Sequence, residues 1–344
     1  MAQSRIDWVD YAKGLCISLV VMMHATLSYG GLVNQEGWLH HVVEFARPFR
    51  MPDFFLLAGL FLGRSINSPL REYVDRKVIH FIYFYLLWLA IQMTLVEADV
   101  WMVDPAQFGR QVLIALTYEP YETLWFVHML AVFYIVTRLV RKVPVAIVFL
   151  VAAGLQTIYH ADLFDLGWTI NRFCDRYVYF FIGYAAAPRI FEFAAFAQRH
   201  TWWTAVGIAA WAVLNGVMVH YRLHDEPFTS LAMGFLGAGA VVACGALLSR
   251  IKWAAPLRHV GANSIVVYLT FFFPVKVMHK ILLYTGAIPD VGWASLAITI
   301  VAVVTPLMFH AVIKDTPLNF LYVRPARFRL IPTQTPQSAN AANL

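Results

Sequence analysis

A succession of long apolar stretches is the feature of this sequence that most restricts its fold. An α-helix needs about 20 apolar residues to cross the hydrocarbon core of a bilayer, and runs of about that length recur along the chain. Of the 344 residues, 60% are hydrophobic and only 13% are charged, whereas soluble domains carry about 25% charged residues. The sequence therefore excludes a water-soluble enzyme, a disordered regulator and a secreted disulfide scaffold, and it predicts a polytopic membrane protein.

Polar, Gly and Pro breaks divide these stretches into ten predicted membrane-spanning helices. They cover residues 10–30, 42–63, 76–97, 124–140, 144–160, 174–192, 202–220, 228–248, 260–283 and 292–313. The predicted fold is therefore all-α, and residues 1–330 are expected to form a single transmembrane domain. Residues 331–344 are a low-complexity tail that we expect to be disordered and cytoplasmic.

The distribution of Lys and Arg between the predicted loops sets the orientation. With the N-terminus inside, the cytoplasmic segments hold 17 of the 26 basic residues, the outer segments hold 6, and 3 lie within helices. Cytoplasmic loops of membrane proteins carry such an excess of basic residues, so both termini are predicted to be cytoplasmic. The same rule explains the net charge of +6 without a nucleic-acid partner.

The three cysteines give no sign of a disulfide framework or of a metal site. Cys16, Cys174 and Cys244 stand far apart, and none belongs to a C-x-x-C pair. Zinc sites and disulfide scaffolds show paired or regularly spaced cysteines. We therefore expect a protein without a bound metal.

Two ionisable side chains lie on one face of the first predicted helix. Lys13 and His24 are 11 positions apart, which is about 20° from three full turns and about 16 Å along the axis. Imidazole is suited to acid–base chemistry because its unperturbed pKa is near physiological pH. A cation near the cytoplasmic entrance and a deeper imidazole would suit a long ligand with a phosphate head and a reactive tail. Alternatively, Lys13 anchors the helix by snorkelling and His24 is a buried, hydrogen-bonded side chain.

The second predicted helix carries a stripe of charges in its first half. Its members stand three positions apart along the helix: Glu44, Arg47, Arg50 and Asp53. Opposite signs at this spacing predict the ion pairs Glu44–Arg47 and Arg50–Asp53. These charges either stiffen the helix, form an electrostatic shell around His24 or clamp an anionic ligand. Pro52 is expected to kink the helix, and the GLFLG run at 59–63 predicts close packing against another helix.

A basic stretch follows the second predicted helix and enters the third. It contains Arg71, Arg76, Lys77 and His80. Such a stretch is either a topological signal or a site for phosphates that arrive from the cytoplasm, which arginine can bind in a bidentate manner.

Two weaker features lie near other helix ends and could contact an external substrate. Glu122 and Trp125 stand at the outer start of the fourth predicted helix, and Asn263, Ser264 and Tyr268 at the start of the ninth. An interfacial aromatic belt would equally explain Trp125, and a helix cap would explain Asn263.

Several segments together carry a resemblance to a known family. Lys13 and His24 match an Arg/Lys-x10-His motif, and MPDFFLLAG (51–59) resembles an M-P-x-F-F-x-x-S/A-G segment. LWFV (124–127) and VGANSIVVYL (260–269) are similar to an L-W-F/Y segment and to a G-x-x-S-x-x-x-Y-L run. In this order they resemble the family-3 membrane-bound acyltransferases, ten-helix bacterial proteins that O-acylate extracytoplasmic glycans.

Two positions depart from the pattern of that family. The usual R-x-x-R stretch is here Arg76-Lys77-Val78-Ile79-His80, with His80 where the second arginine would stand. Phe271 occupies a position where the family often has a histidine.

The resemblance implies an acyl-CoA-dependent O-acyltransferase in the bacterial inner membrane, with acetyl-CoA as the expected donor and a glycan or glycolipid as the acceptor. His24 would be the general base, and Arg47 or Arg50 would stabilise the oxyanion or orient His24 through Glu44 or Asp53. The remaining candidates divide into donor-binding residues (Lys13, Arg71, Arg76, Lys77 and His80) and acceptor-binding residues (Glu122, Trp125, Asn263, Ser264 and Tyr268).

Three other interpretations are compatible with the sequence. The main one is a secondary transporter or flippase in which the buried charges form a substrate or proton path. An acyltransferase that acts on a lipid or protein within the bilayer is another. A sensor or scaffold without chemistry is the third, but it leaves the charges of the first two helices unexplained.

Overall fold

The computed structural model describes residues 6–96 and 98–331, and within those ranges it contains helices and no β-strand. The predicted all-α fold is therefore confirmed, whereas the predicted disordered tail lies almost wholly outside the described residues. In chain order the α-helices are α1 (Asp7–Val33), α2 (Trp38–Ala46), α3 (Arg50–Gly59), α4 (Leu70–Val74), α5 (His80–Val96), α6 (Ala98–Val103), α7 (Pro105–Thr117), α8 (Trp125–Leu139), α9 (Val145–His160), α10 (Trp168–Ala185), α11 (Ala187–Arg199), α12 (Thr201–His220), α13 (Thr229–Leu248), α14 (Ala255–Ala262), α15 (Ser264–Thr270), α16 (Phe272–Thr285) and α17 (Val291–Ile313).

Several helices are long and apolar enough to cross a membrane. Six helical stretches of the described chain have the length and composition of a membrane span: Asp7–Val33, Leu70–Leu95, Pro105–Leu139, Thr201–His220, Thr229–Leu248 and Val291–Ile313. Two further pairs, α10 with α11 and α15 with α16, are bent by 77° and 51° and raise the number to eight if each pair is one span. The ten-span count and the cytoplasmic position of both termini stay predictions.

The second predicted span, 42–63, is broken into two short helices. α2 ends at Ala46 and α3 begins at Arg50, so the break precedes the predicted kink at Pro52. Pro52 instead lies in the first turn of α3, where a backbone N–H has no partner within the helix and its loss costs little. The break changes the direction in which the charged residues on either side of it point.

Residues 98–117 form two helices that the apolar runs did not predict. α7 starts after Asp104, whose side chain accepts a hydrogen bond of 2.9 Å from the backbone N–H of Gln107, and Pro105 follows at the first helical position. This cap is a recognisable start signal in the sequence. Pro105–Thr117 belongs to the helical stretch Pro105–Leu139 that is long and apolar enough to cross a membrane, whereas the sequence analysis began its fourth span at residue 124.

The chain divides into two compact units, the first made of residues up to Gly63 together with Val143–Val312. In this unit α1 is central and packs against α2, α3, α13, α14 and α15. Its contact with α14 is so close that a Cβ on Gly261 would overlap the carbonyl oxygen of Asp10. The core beside it is built from buried apolar side chains such as Trp8, Cys16, Phe49 and Leu56.

The second unit contains the described residues of the stretches 64–142 and 313–331. A π-helical turn, Asp75–Ile79, joins α4 to α5, and α5 packs against α8. The C-terminal segment lies on the same helices, since the indole Nε1 of Trp88 donates a hydrogen bond of 3.0 Å to the carbonyl oxygen of Leu321.

Candidate active site

His24 lies in the middle of α1, half-buried in the first unit. The centre of its ring is 5.2 Å from the ring of Phe271, the residue that departs from the family pattern. Its backbone carbonyl accepts a hydrogen bond from the Ser28 hydroxyl, and that hydroxyl lies 3.3 Å from Nε2 of His279 in α16. A second imidazole, which sequence analysis did not single out, is therefore linked to the same helix face one turn beyond His24.

Lys13 lies on α1 well before His24, as the spacing predicted. Its Nζ atom is 5.9 Å from the centre of the Phe61 ring, a distance at which a cation is attracted to an aromatic face. At the same end of α1, Asp7 forms an ion pair of 3.2 Å with Arg258. Charged groups therefore cluster at the N-terminal end of this helix.

Of the two ion pairs predicted in the charged stripe of the second predicted helix, Glu44–Arg47 is present. Nη1 of Arg47 lies 3.5 Å from Oε2 of Glu44, and Nη2 of Arg47 also reaches Oδ2 of Asp225 at 3.1 Å. Both Arg47 and Asp225 are about half exposed, so these pairs contribute little to stability. They do tie α2 to the loop before α13.

The predicted Arg50–Asp53 ion pair is wrong. The Arg50 guanidinium points back across the helix break, and its Nη1 donates a hydrogen bond of 3.4 Å to the carbonyl oxygen of Val43. Arg50 and Asp53 both lie in α3, so their i,i+3 spacing is intact, but the guanidinium turns toward α2 and the pair does not form. Arg50 is only 8% exposed, and it lies within electrostatic range of His24.

Asp53 is one of the most deeply buried polar residues of the first unit. It is 1% exposed, and neither carboxyl oxygen has a hydrogen-bond partner among the described residues. It lies within electrostatic range of Cys16 and Tyr179. Burying an unpaired polar group is costly, and such residues inside membrane helices are commonly functional.

A charged cluster around Asp175 was not found by sequence analysis. The Asp175 carboxylate is 1% exposed and lies 2.9 Å from Nε of Arg176, 3.7 Å from Nη1 of Arg172 and 3.2 Å from Nε2 of His160. The His160 ring also contacts the backbone carbonyl of Asp225 at 3.0 Å. The signal in the sequence was the NRFCDR run at 171–176, three charges at the start of an otherwise apolar helix.

The Asp175 cluster is continuous with the charges of α2 and α3. Asp225 pairs with Arg47, and Arg176 lies within electrostatic range of Arg50. Contacts thus connect Arg47, Asp225, His160 and Asp175 in the first unit, and Arg50 lies within electrostatic range of both Arg176 and His24.

The second unit holds the basic residues predicted to bind the donor. Arg71 and Arg76 are exposed, and Nη1 of Arg76 forms an ion pair of 2.7 Å with Glu72. Nζ of Lys77 lies 4.8 Å from the centre of the Tyr134 ring, and His80 packs edge-on against Phe84 at 5.0 Å. Lys77 and His80 are therefore directed into the helices, whereas Arg71 and Arg76 face outward.

Arg324 joins these basic residues from the C-terminal segment. It is 6% exposed and lies within electrostatic range of His80. Sequence analysis had counted Arg324 only as a cytoplasmic topology signal, because nothing in its local sequence indicates burial.

The predicted acceptor residues fall in different parts of the structure. Glu122 and Trp125 belong to the second unit, where Glu122 adopts a positive φ of 40° just before α8. Asn263 stands at the N-cap of α15, but its side chain donates a hydrogen bond of 2.9 Å back to the carbonyl oxygen of His259. Ser264 begins α15, and Tyr268 is buried at 5% exposure.

Among the described residues, no group of three or more His, Cys, Asp or Glu side chains could hold a metal ion. Cys16 and Cys174 are buried, and Cys244 is half-buried.

Comparison with known proteins gives one family and two relatives. The model of an acyltransferase domain matches residues 6–311. The inner membrane protein YcfT of Escherichia coli (strain K12) is 33% identical over 81 residues, which are 21% of this chain and 23% of YcfT. The nodulation protein NolL of Mesorhizobium japonicum (strain LMG 29417 / CECT 9101 / MAFF 303099) is 22% identical over 248 residues, 67% of this chain and 65% of NolL. The matched part is less than two thirds of either relative, and no solved structure matches the chain significantly.

Proposed function

Since the chain belongs to the acyltransferase family whose domain model spans residues 6–311, we propose that it transfers an acyl group from acyl-CoA to a hydroxyl of an extracytoplasmic glycan. The chain is a multi-pass membrane protein. In the proposed reaction the acceptor oxygen attacks the thioester carbonyl and forms an ester, while the C–S bond breaks. CoA leaves as a thiolate and takes up the proton that the base removed from the acceptor.

The observation that supports this reaction best is that the buried Arg50 lies within electrostatic range of His24. A half-buried imidazole on a long apolar helix can remove the proton of the attacking hydroxyl. Arg50 lies within electrostatic range of it, and its Nε has no hydrogen-bond partner among the described residues. That group is proposed to donate to the oxyanion that develops during attack on the thioester.

The charged residues around Arg50 are proposed to position it. Glu44 and Arg47 form an ion pair, and Arg47 continues to Asp225 and so to the Asp175 cluster. Asp53, buried and unpaired, is proposed as a second carboxyl of the site. In this proposal these residues orient the guanidinium, whereas only His24 and Arg50 act on the reacting atoms.

The donor is proposed to be a cytoplasmic acyl-CoA, with acetyl-CoA as the first candidate. Lys13 lies on α1 about 16 Å from His24 along the helix axis, a distance comparable with a pantetheine arm. Arg71, Arg76, Lys77 and His80 are proposed to bind the donor phosphates, because Arg and Lys are the usual phosphate ligands. No metal is needed for this step.

The identity of the acceptor and the membrane in which the protein lies are proposed from the family and from the topology. YcfT is named an inner membrane protein, and we propose the same location for this chain. Glu122, Trp125, Asn263, Ser264 and Tyr268 are the residues proposed to contact a glycan or glycolipid.

A transporter or flippase is the second candidate function. The broken helices favour it, since discontinuous helices line the substrate sites of many transporters, and α10–α11 and α15–α16 are bent by 77° and 51°. A transporter would carry its substrate without breaking a thioester. The same experiment therefore separates the two functions.

The test is thiol release from acetyl-CoA by purified protein in nanodiscs. His24→Ala should lower the rate by at least ~10²-fold, the usual contribution of a general base. His41→Ala is the matched control, since His41 is an exposed histidine on α2. If the His24→Ala variant released thiol at the wild-type rate, the proposed role of His24 as general base would be refuted. The absence of both thiol release and CoA binding in the wild type would favour the transporter.

A further inference from the structure

A polar pocket opens at the C-terminal end of α1. Its volume is about 420 Å³, within the range of about 300–1,000 Å³ typical of small-molecule sites. It is lined by Thr26, Leu27, Gly30, Gly31, Asn34, Gln35, Glu36, Gly37 and His40. Sequence analysis assigned no role to any of these residues.

The pocket lies close to His24 along the same helix. Thr26 and Leu27 follow His24 by two and three positions, about 3–5 Å along the axis. Thr26 is 3% exposed, and its hydroxyl has no hydrogen-bond partner among the described residues. Along the helix axis the nearest lining residues therefore lie within one turn of the proposed base, and Leu27 is about 60° around the helix from His24, whereas Thr26 is on nearly the opposite face.

The pocket also lies at the opposite end of α1 from Lys13. The helix has 27 residues, which is about 40 Å at 1.5 Å per residue, longer than the ~30 Å hydrocarbon core. The ends of α1 therefore belong to opposite sides of the bilayer, whichever way the helix crosses. If the donor enters at the Lys13 end of α1, the opposite end, where the pocket lies, remains available to the acceptor.

The chemistry of the lining indicates an uncharged ligand with many hydroxyls. The amides of Asn34 and Gln35 can each donate and accept hydrogen bonds, as sugar hydroxyls do. Glu36 and His40 form a pair at 3.6 Å on the same wall. No Lys or Arg lines the pocket, so a phosphate would find no cation there, and Leu27 is the one large apolar side chain, which disfavours an acyl chain.

Gly31 keeps part of the wall of the pocket open. A Cβ on Gly31 would meet no atom within 4 Å, although the residue lies in a regular helix. At the end of that helix Asn34 adopts a left-handed conformation, with φ of 52°, and the chain turns toward α2. Larger side chains on α1 would fill the space that the turn leaves.

We propose that this pocket binds the sugar ring of the acceptor and presents a hydroxyl to His24. The proposal rests on the acyl transfer proposed above and names the acceptor site. Gly31→Leu tests it, because the new side chain enters empty space rather than the protein core. Gly207→Leu is the matched control, since Gly207 is also an exposed helical glycine whose Cβ would meet no atom within 4 Å.

The experiment measures the rate of thiol release from acetyl-CoA by the protein in nanodiscs as a function of the concentration of a sugar probe. The probes are the methyl glycosides of glucose, galactose, mannose and N-acetylglucosamine, with 1,2-dioctanoylglycerol as a lipid acceptor. At least one glycoside should accelerate wild-type release. Gly31→Leu should then raise the KM for that glycoside roughly tenfold or more, which corresponds to about 1.4 kcal/mol, while Gly207→Leu leaves it unchanged.

Three results would overturn the proposal. They are an unchanged glycoside KM in Gly31→Leu, acceleration by the lipid acceptor alone, and no acceleration by any glycoside although basal release depends on His24. The last two leave acyl transfer itself intact, so they differ from failure of the proposed function, in which no thiol is released and no CoA binds. Equal unfolding temperatures of the two leucine variants would show that the fold is preserved.

Discussion

Nη2 of Arg324 donates a hydrogen bond of 2.8 Å to the carboxylate of Asp75, across 249 positions of the sequence. Both side chains are almost fully buried, at 6% and 7% exposure. The backbone N–H of Leu330 donates to the other carboxylate oxygen at 2.7 Å. The C-terminal segment is thereby held against the turn that carries Arg76 and Lys77.

Arg324→Ala should destabilise the protein strongly. Removal of one member of a buried ion pair leaves the other charge unpaired, at a cost of about 3–5 kcal/mol. The double variant Asp75→Asn, Arg324→Gln should be more stable than the single one, because it removes both charges. Thermal unfolding in detergent measures both effects, and an Arg324→Ala protein that unfolds at the wild-type temperature would contradict the prediction.

Arg176 and Arg172 should differ in their contributions to stability, although both lie near Asp175. Arg176 is 17% exposed and 2.9 Å from the carboxylate, whereas Arg172 is 36% exposed and 3.7 Å away. We expect Arg176→Ala to cost about 3 kcal/mol as a largely buried pair and Arg172→Ala at most about 1 kcal/mol. Chemical unfolding of the two variants compares them directly, and equal losses would argue against this ranking.

Gly59 and Gly63 should also respond differently to a larger side chain. The predicted packing of the GLFLG run is present at Gly59, where a Cβ would overlap the Phe180 carbonyl oxygen of α10. At Gly63 the nearest atom, Cε2 of Tyr184, is 4.0 Å away. The Gly59→Val substitution should therefore lower the free energy of unfolding by several kcal/mol or prevent the protein from accumulating, since overpacking costs about 1–3 kcal/mol or more. Gly63→Ala should accumulate normally; similar yields of the two variants in membranes would contradict the packing argument.

The predicted orientation can be tested with single cysteines in a variant that lacks Cys16, Cys174 and Cys244. Glu36→Cys, beyond the C-terminal end of α1, should react with a membrane-impermeant maleimide on intact cells. Arg141→Cys, in a loop predicted to be cytoplasmic, should react only after permeabilisation. The reverse pattern would place the N-terminus outside and would move the acceptor pocket to the cytoplasmic side.

Part of the candidate site was predictable because it depends on one helix at a time. Lys13 and His24 do lie far apart along α1, and Glu44 does pair with Arg47 within α2. The Arg50–Asp53 pair failed although both residues lie in α3, because the Arg50 guanidinium reaches back to the carbonyl oxygen of Val43 while Asp53 is buried without a hydrogen-bond partner among the described residues. Helical spacing therefore places two residues on one face, but packing against neighbouring helices decides whether their side chains meet.

The residues that were missed meet through contacts between different helices. His160 and Asp175 lie 15 positions apart on α9 and α10, and Arg47 reaches Asp225 in the loop before α13. Neither pair has a spacing that a helical pattern would detect. The pocket beside His24 depends likewise on the turn between α1 and α2, which an apolar run does not reveal.

The sequence by itself determined that this protein is all-helical and membrane-spanning, because apolar length and composition are properties of each segment alone. Its ordered motifs also indicated the acyltransferase family. Only the tertiary structure decided which charges meet, which helices break and where a polar pocket opens. These features follow from the angles and close approaches at which helices pack, and each of those depends on residues far apart in the chain.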